Sequence, residues 1–282
     1  MYNARIVTDN NAVIGFGWKY GSIFDIDPLN GVAVDVDTSQ GFQQIGTTVE
    51  SMGVKGLSRT IKGTFLAGRE AEAESMLNNL PIMTTGKLFF NDEYYCNIYV
   101  SKTPTIVRKG NHYSFSMMVY CNEPYWFKAE PTSYDMGDWL KQFRFPVLYD
   151  THIFAIRNAN VFVDCFNFGS VKTAPVITFT ASSTVAGFGL LNAETLEFMK
   201  INTDIRPGDI VRIYRKNSRL FVDRTRNGKT DDIFEYLDES SNLFYLYPGS
   251  NVLKMTADEN VAGLQCNVSF ESAYVGVLDH VS

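Results

Sequence analysis

Five acids, Asp231, Asp232, Glu235, Asp238 and Glu239, stand close together in the second half of the chain. Paired carboxylates, one protonated and one ionised, are the machinery of glycoside hydrolysis. That chemistry needs one acid with a raised pKa, and nothing else in the chain suggests one, so the cluster reads first as a solvated turn beside a hairpin. The histidines His112, His152 and His280 are scattered, without metal-ligand spacing or a carboxylate partner in sequence, and read as structural or surface residues. Gly15-Phe16-Gly17-Trp18-Lys19-Tyr20-Gly21 has the glycine density of a phosphate loop, but no strand-loop-helix context follows it, so a flexible turn is the better reading. The four cysteines, Cys96, Cys121, Cys165 and Cys266, are far apart, and three lie in alternating strand patterns. They read as small core hydrophobes rather than disulfides or metal ligands. Trp126, Trp139, Tyr245 and Tyr247 offer flat rings on which a sugar could stack, with core packing the competing reading. Asn267-Val268-Ser269 matches a glycosylation sequon, but inside a predicted strand. The side chains thus point to no catalytic residue, cofactor site or metal site.

The elements that would position these groups are mainly strands. The stretch from Val54 to Phe127 predicts a strand (Val54 to Phe65), a helix (Arg69 to Leu80) and strands over Lys87 to Asn91, Tyr94 to Val100 and His112 to Cys121. In the helix, Ala73, Met76, Leu77 and Leu80 fall at i, i+3, i+4 and i+7 and predict one buried stripe. Glu70, Glu72 and Glu74 lie where the helix dipole favours negative charge, and Pro81 closes the segment. In the last strand Tyr113, Phe115, Met117, Val119 and Cys121 alternate with Ser114, Ser116 and Met118, so one face is buried. Before this stretch, Val32, Val34 and Val36 predict a half-buried strand, whereas residues 38–49 are long, polar and β-branched. That segment either extends away from its own core or forms a plain exposed hairpin.

Residues 130–145 show no clean period, and Pro131 and Gly137 interrupt them, which places a domain boundary near Glu130. Beyond it the pattern predicts ten short strands: Ile153 to Arg157, Val161 to Phe166, Val176 to Thr180, Thr195 to Ile201, Asp209 to Tyr214, Leu220 to Val222, Phe234 to Leu237, Leu243 to Tyr247, Val252 to Thr256 and Leu264 to Phe270. Pro207-Gly208 predicts a type II turn and Asn227-Gly228 a type I′ hairpin, because both need positive φ where glycine costs nothing. The expected fold is mainly β: residues 1–130 an α+β domain with one helix on an antiparallel sheet, residues 131–282 an antiparallel β-sandwich.

Composition narrows the function classes. With 282 residues, 45% of them hydrophobic, the chain can build its core without a disulfide or metal staple. The net charge of −6 and the lack of a concentrated basic face argue against direct nucleic-acid binding. No apolar run reaches the length of a membrane span or signal-peptide core, so a soluble, non-secreted protein with no membrane partner is expected.

The order of the turns and elements resembles a known family. Thr38-Ser39-Gln40-Gly41, Gln44-Ile45-Gly46, Arg59-Thr60-Ile61-Lys62-Gly63, the single helix closed by Pro81, Gly86-Lys87-Leu88, Pro104 and Asn122-Glu123-Pro124-Tyr125 are similar to the distal tail proteins of long-tailed, non-contractile bacteriophages. Phe145-Pro146, Asn167-Phe168-Gly169, Pro175, Pro207-Gly208-Asp209, Asn227-Gly228 and Pro248-Gly249-Ser250-Asn251 resemble that family's galectin-like C-terminal sandwich. The resemblance implies a non-enzymatic structural virion protein without cofactor, a hexameric ring hub at the distal end of the tail. Its partners would be the tail tube protein, the tail-tip or tail-associated lysin protein, and receptor-binding or baseplate proteins. The N-terminal domains would line a channel through which viral DNA passes without being specifically bound, and an acidic or neutral lining suits such transit. A belt hairpin would reach onto the neighbouring subunit, and Gln43, Gln44, Ile45, Gly46, Thr47, Thr48 and Val49 are its expected residues. The protein would be made in the host cytoplasm and reside in the virion at the distal tail tip. A carbohydrate-binding adhesion module without enzymatic activity is the alternative.

Overall fold

The computed structural model describes residues 2–137, 139–141, 155–157, 161–216, 219–242 and 244–277, with backbone alone for 139–141 and 155–157. Phe145, Pro146, His152, Leu243 and His280 lie outside the described residues, as does the side chain of Trp139. The chain divides into two compact units, Met1–Glu130 with Ala273–Ser282, and Pro131–Ser272.

The first unit runs β1 (Asn3–Thr8), β2 (Val13–Gly17), β3 (Ser22–Asp27), β4 (Val34–Ser39), β5 (Thr48–Val54), β6 (Leu57–Phe65), α1 (Glu70–Asn79), β7 (Thr85–Phe90), β8 (Tyr94–Lys109), β9 (His112–Cys121) and β10 (Trp126–Lys128). Seven strands form one antiparallel path in the order β2-β1-β7-β8-β9-β6-β3, with β10 joining β8 beside it. The alternation in β9 puts Phe115, Met117, Val119 and Cys121 in the core. Its register against β6, Ile61 opposite Met117, brings the apolar faces of both strands together. Ala73, Met76 and Leu80 of the helical segment join Ile6, Phe16, Ile61 and Phe65 in that core.

The second unit contains β11 (Thr132–Met136), β12 (Trp139–Lys141), β13 (Ala155–Arg157), β14 (Phe162–Asp164), β15 (Val176–Ala181), β16 (Val185–Asn192), β17 (Phe198–Ile205), β18 (Ile210–Lys216), β19 (Arg219–Arg226), β20 (Lys229–Asp232), β21 (Val252–Glu259) and β22 (Leu264–Phe270). A six-stranded sheet, β11-β22-β15-β18-β19-β20, and a four-stranded sheet, β14-β21-β16-β17, share one core, while β12 and β13 pair separately. Phe179 of the first sheet meets Phe188 of the second edge to face, with ring centroids 5.2 Å apart. This is the expected antiparallel sandwich. At the Asn227-Gly228 turn both residues have positive φ, 51° and 77°, between Arg226 and Lys229, as a two-residue type I′ hairpin requires. Pro207-Gly208 is closed by the Asp209 amide donating to the Arg206 carbonyl at 3.0 Å. The last strand, β23 (Ala273–Tyr274), pairs with β10, and Val277 is buried in the first unit's core. Residues 273–277 therefore pack with residues 1–130, not with the sandwich as expected for 131–282.

Other expectations also change. Leu77 is 49% exposed, because Ala73, Met76 and Leu80 subtend only about 60° of the helix at 100° per residue, and Leu77 lies on the flank of that arc. Val34 and Val36 are exposed on a separate two-stranded sheet and do not form a half-buried strand. Phe234–Tyr236 is a 3-10 turn, and residues 244–247 contribute only an isolated bridge at Leu246 to Thr173. Strands β11, β16 and β20 had no counterpart in the pattern.

Candidate functional site: an exposed hairpin

Among the described residues, strands β4 and β5 pair only with each other, and every residue in both is exposed. Val34 lies opposite Val54 and Val36 opposite Met52, while Asp35 faces Gly53 and Asp37 faces Ser51. Side chains alternate across a strand, so one hairpin face carries Val34, Val36, Met52 and Val54, and the other is polar. The polar face is held by its own contacts: Lys55 Nζ lies 2.9 Å from Asp35, and the Ser51 hydroxyl donates to Asp37 at 2.8 Å. Ser39 also donates to Glu50, near a register shift after Asp37. The side chains of the apolar face are exposed.

At the tip, the Gln44 side chain spans the loop. Its Oε1 accepts from the Gly41 amide at 2.8 Å, and its Nε2 donates to the Thr48 hydroxyl at 2.9 Å. The Gln44 amide donates to the Gly41 carbonyl at 3.1 Å, and Gln40 Nε2 donates to the Gln44 carbonyl at 3.2 Å. Gln43 and Gly46 take positive φ, 63° and 89°. The loop so fixed holds Phe42 and Ile45 in solvent, at 97% and 103% relative exposure. Of the residues singled out from sequence, Gln44 shapes the loop, Ile45 projects from it, and Val49 is exposed on the hairpin. Phe42, Val34, Val36, Met52 and Val54 were missed. The signal was a Val-x-Val run that pairs across the hairpin with Met-x-Val.

The other chemical candidates are engaged otherwise. Asp238 accepts from Asn202 Nδ2 at 3.0 Å and from the Ser240 amide at 2.9 Å, and these bonds hold its carboxyl below the usual range, opposite to what a general acid needs. Asp232 accepts from the Phe234 amide at 2.9 Å, and Asp231 lies 3.2 Å from Lys229. These acids build turns. Among the described residues, no group of three or more His, Cys, Asp and Glu is placed to hold a metal ion. The Gly15–Gly21 segment runs from β2 into a 3-10 turn beside a cavity of about 310 Å³, where Arg69 is already paired with Glu72 at 2.6 Å. Trp126 is fully buried, its indole nitrogen donating to the Leu29 carbonyl at 2.9 Å. Tyr245 carries Lys172 and Arg215 over its ring at 4.7 and 4.5 Å, and Lys172 also lies 5.9 Å from the Tyr247 ring centroid. Asn267 donates to Ser133 and Asp135, both at 2.7 Å. His112 is exposed at the start of β9. Among the described residues, no helix is long and apolar enough to cross a membrane.

Among the described residues, two antiparallel β units, the first with one helix on its sheet and an exposed hairpin, define the class as a mainly β protein. Residues 168–274 match the family described as siphovirus-type tail component, C-terminal domain. The fold is similar to that of the SPP1 Dit protein, described as a paradigm of the hub adsorption apparatus in phages infecting Gram-positive bacteria, with TM-score 0.67 and 12% identity over 96% of this chain and 99% of that one. It is also similar to a chain of the phage P2 baseplate in its activated conformation with calcium, at TM-score 0.52 and 8% identity over 98% and 99%. No curated protein matches the sequence. The family match covers residues 168–274, and the likeness to the solved structures is one of fold.

Proposed function

We propose that this chain is a structural hub of a siphophage tail tip that assembles as a homohexameric ring. The hairpin of each subunit reaches onto its neighbour. The first unit carries the ring contacts, with the tail tube protein on one face of the ring and the tail-tip or tail-associated lysin protein on the other. The sandwich anchors receptor-binding or baseplate proteins. Viral DNA passes through the ring, and the net charge of −6 disfavours its retention.

The observation that carries this reading is the hairpin. A two-stranded hairpin alone is marginal in water, and large apolar side chains held at full exposure mark an interaction surface. A second copy of the chain is an occupant always present at matching concentration. The test is light scattering coupled to size exclusion over a concentration series, followed by negative-stain imaging. A species of six times 31.8 kDa, about 191 kDa, that images as a ring supports the reading. A monomer at every concentration counts against self-assembly as the hairpin's role.

A further inference from the structure

Cys96 of β8 and Cys121 of the adjacent β9 are both buried, with their sulfurs 3.7 Å apart. Arg59, on β6 at the other side of β9, is also fully buried. Its guanidinium donates to the carbonyls of Pro28 and Leu29, each at 2.6 Å, and of Pro124 at 3.2 Å, and stacks over Trp126 at 4.8 Å. None of these partners is an anion, and among the described residues its Nε has no hydrogen-bond partner. A buried cation without a counter-charge is costly, and a thiolate at Cys121 supplies one. The hydrogen bond with Cys96 and then the charge of Arg59 bring the Cys121 thiol down to about 7, against burial, while burial and Cys121 push Cys96 up. In the sandwich, burial raises Cys165 to about 12 and also raises Cys266, with no cation contributing.

We propose that Cys96 and Cys121 form an oxidation site, closed to an intramolecular disulfide by a small hydroperoxide. The Cys121 thiolate attacks one peroxide oxygen. The O–O bond breaks, hydroxide leaves, and Cys121 becomes a sulfenic acid. Cys96 then gives up its proton and attacks the Cys121 sulfur, the S–O bond breaks, and the departing hydroxide takes up a proton as water. Two thiols and one hydrogen peroxide thus give one disulfide and two waters. The bridge ties β8 to β9 within the central sheet, and the proposal stands independently of the ring.

The experiment treats the folded full chain with hydrogen peroxide, quenches, unfolds, counts thiols with a chromogenic reagent, and maps the tryptic peptides by mass. The expected result is a fall from the four thiols of the sequence to two, a linked pair of peptides containing Cys96 and Cys121, and full recovery with dithiothreitol. Cys96→Ser should leave a sulfenic acid on Cys121 that dimedone traps. A Cys165→Ser/Cys266→Ser chain should still lose two thiols. Retention of all four thiols in the wild-type chain overturns the proposal, as does a bridge that joins Cys165 to Cys266 or two chains to each other. The wild-type map carries the test, so a variant that fails to fold does not rescue it.

Discussion

Replacing Phe42 and Ile45 by serine separates assembly from folding. Both side chains are almost fully exposed in the free subunit, at 97% and 103%, so their truncation removes no packing within the chain. The subunit's own stability should stay within about 0.5 kcal/mol of wild type, as for surface substitutions generally. In the proposed ring the same two side chains are buried against a neighbour. Full burial of a side chain of this size contributes about 1.5–3 kcal/mol, so the pair is worth roughly 3–6 kcal/mol per interface. At about 1.4 kcal/mol per tenfold, the double variant should weaken each contact roughly a hundred- to ten-thousand-fold. Light scattering across a dilution series should show its transition from about 191 kDa (six times 31.8 kDa) to 31.8 kDa at far higher concentration, with an unchanged thermal midpoint. A variant that keeps the wild-type concentration dependence would refute the hairpin as the assembly element. A variant that melts well below wild type would show instead that the tip packs on its own chain.

Three further outcomes check the fold. Met76→Asp buries a charge in the first unit's core and should cost several kcal/mol, leaving the protein insoluble or unfolded, whereas Leu77→Asp, on the helix flank, should shift chemical denaturation by less than about 1 kcal/mol. Gly228→Ala should cost about 1–2 kcal/mol in a urea titration, because φ is 77° there and a new Cβ would meet no atom within 4 Å, so conformational strain is the whole effect. Asp209 is nearly buried and receives two bonds from Arg226, at 2.7 and 2.6 Å, which hold its carboxyl below the usual range. Its folded-state pKa is depressed, so the unfolded chain binds more protons. The stabilisation is present above the ordinary carboxylate pKa, about 3.9, and disappears as pH falls through the folded value. Asp209→Asn should therefore flatten the acid limb of the stability profile measured by denaturation at successive pH values.

The elements legible from sequence were those in which one local rule dominated. Strand β9 follows strict alternation, and Asn227-Gly228 satisfies the one turn type that demands positive φ at both positions. Strand β16 was illegible because it is buried on both faces and carries Gly187 and Gly189, which remove the periodic signal. At Gly189 the missing side chain is a packing requirement, since a Cβ would come within 2.2 Å of the Met199 carbonyl oxygen, a contact set by β17 and invisible in local sequence. Leu77 failed for a related reason. The period of a helix gives the direction of its apolar stripe, but the width of the stripe is decided by what packs on it. The belt is an expectation from the resemblance and not from any period, and Phe42 carries no signal because an isolated aromatic among polar residues has no partner in sequence.

In the proposed assembly the hairpin is a polar-looking segment that docks on a neighbour. Its polar face satisfies itself through Asp35, Asp37, Ser39, Glu50, Ser51 and Lys55, and its loop is closed by Gln44. Those bonds do not bury apolar surface, and they leave Val34, Val36, Met52, Val54, Phe42 and Ile45 in water. For a segment serving only its own chain this arrangement is poor, since it orders the backbone and gains little hydrophobic stabilisation in return. For a segment that docks on a second subunit it is favourable, because the shape is fixed before contact and less conformational entropy is lost on binding. The Gln44 network can therefore be tested as a preorganising device. Gln44→Ala removes the bonds to the Gly41 amide and the Thr48 hydroxyl while leaving the apolar face intact, at about 0.5–1.5 kcal/mol for each bond lost. It should weaken assembly by roughly ten-fold or more at about 1.4 kcal/mol per tenfold, without changing the subunit's melting. Unchanged assembly would mean that the loop is ordered by the neighbour and not by its own glutamine.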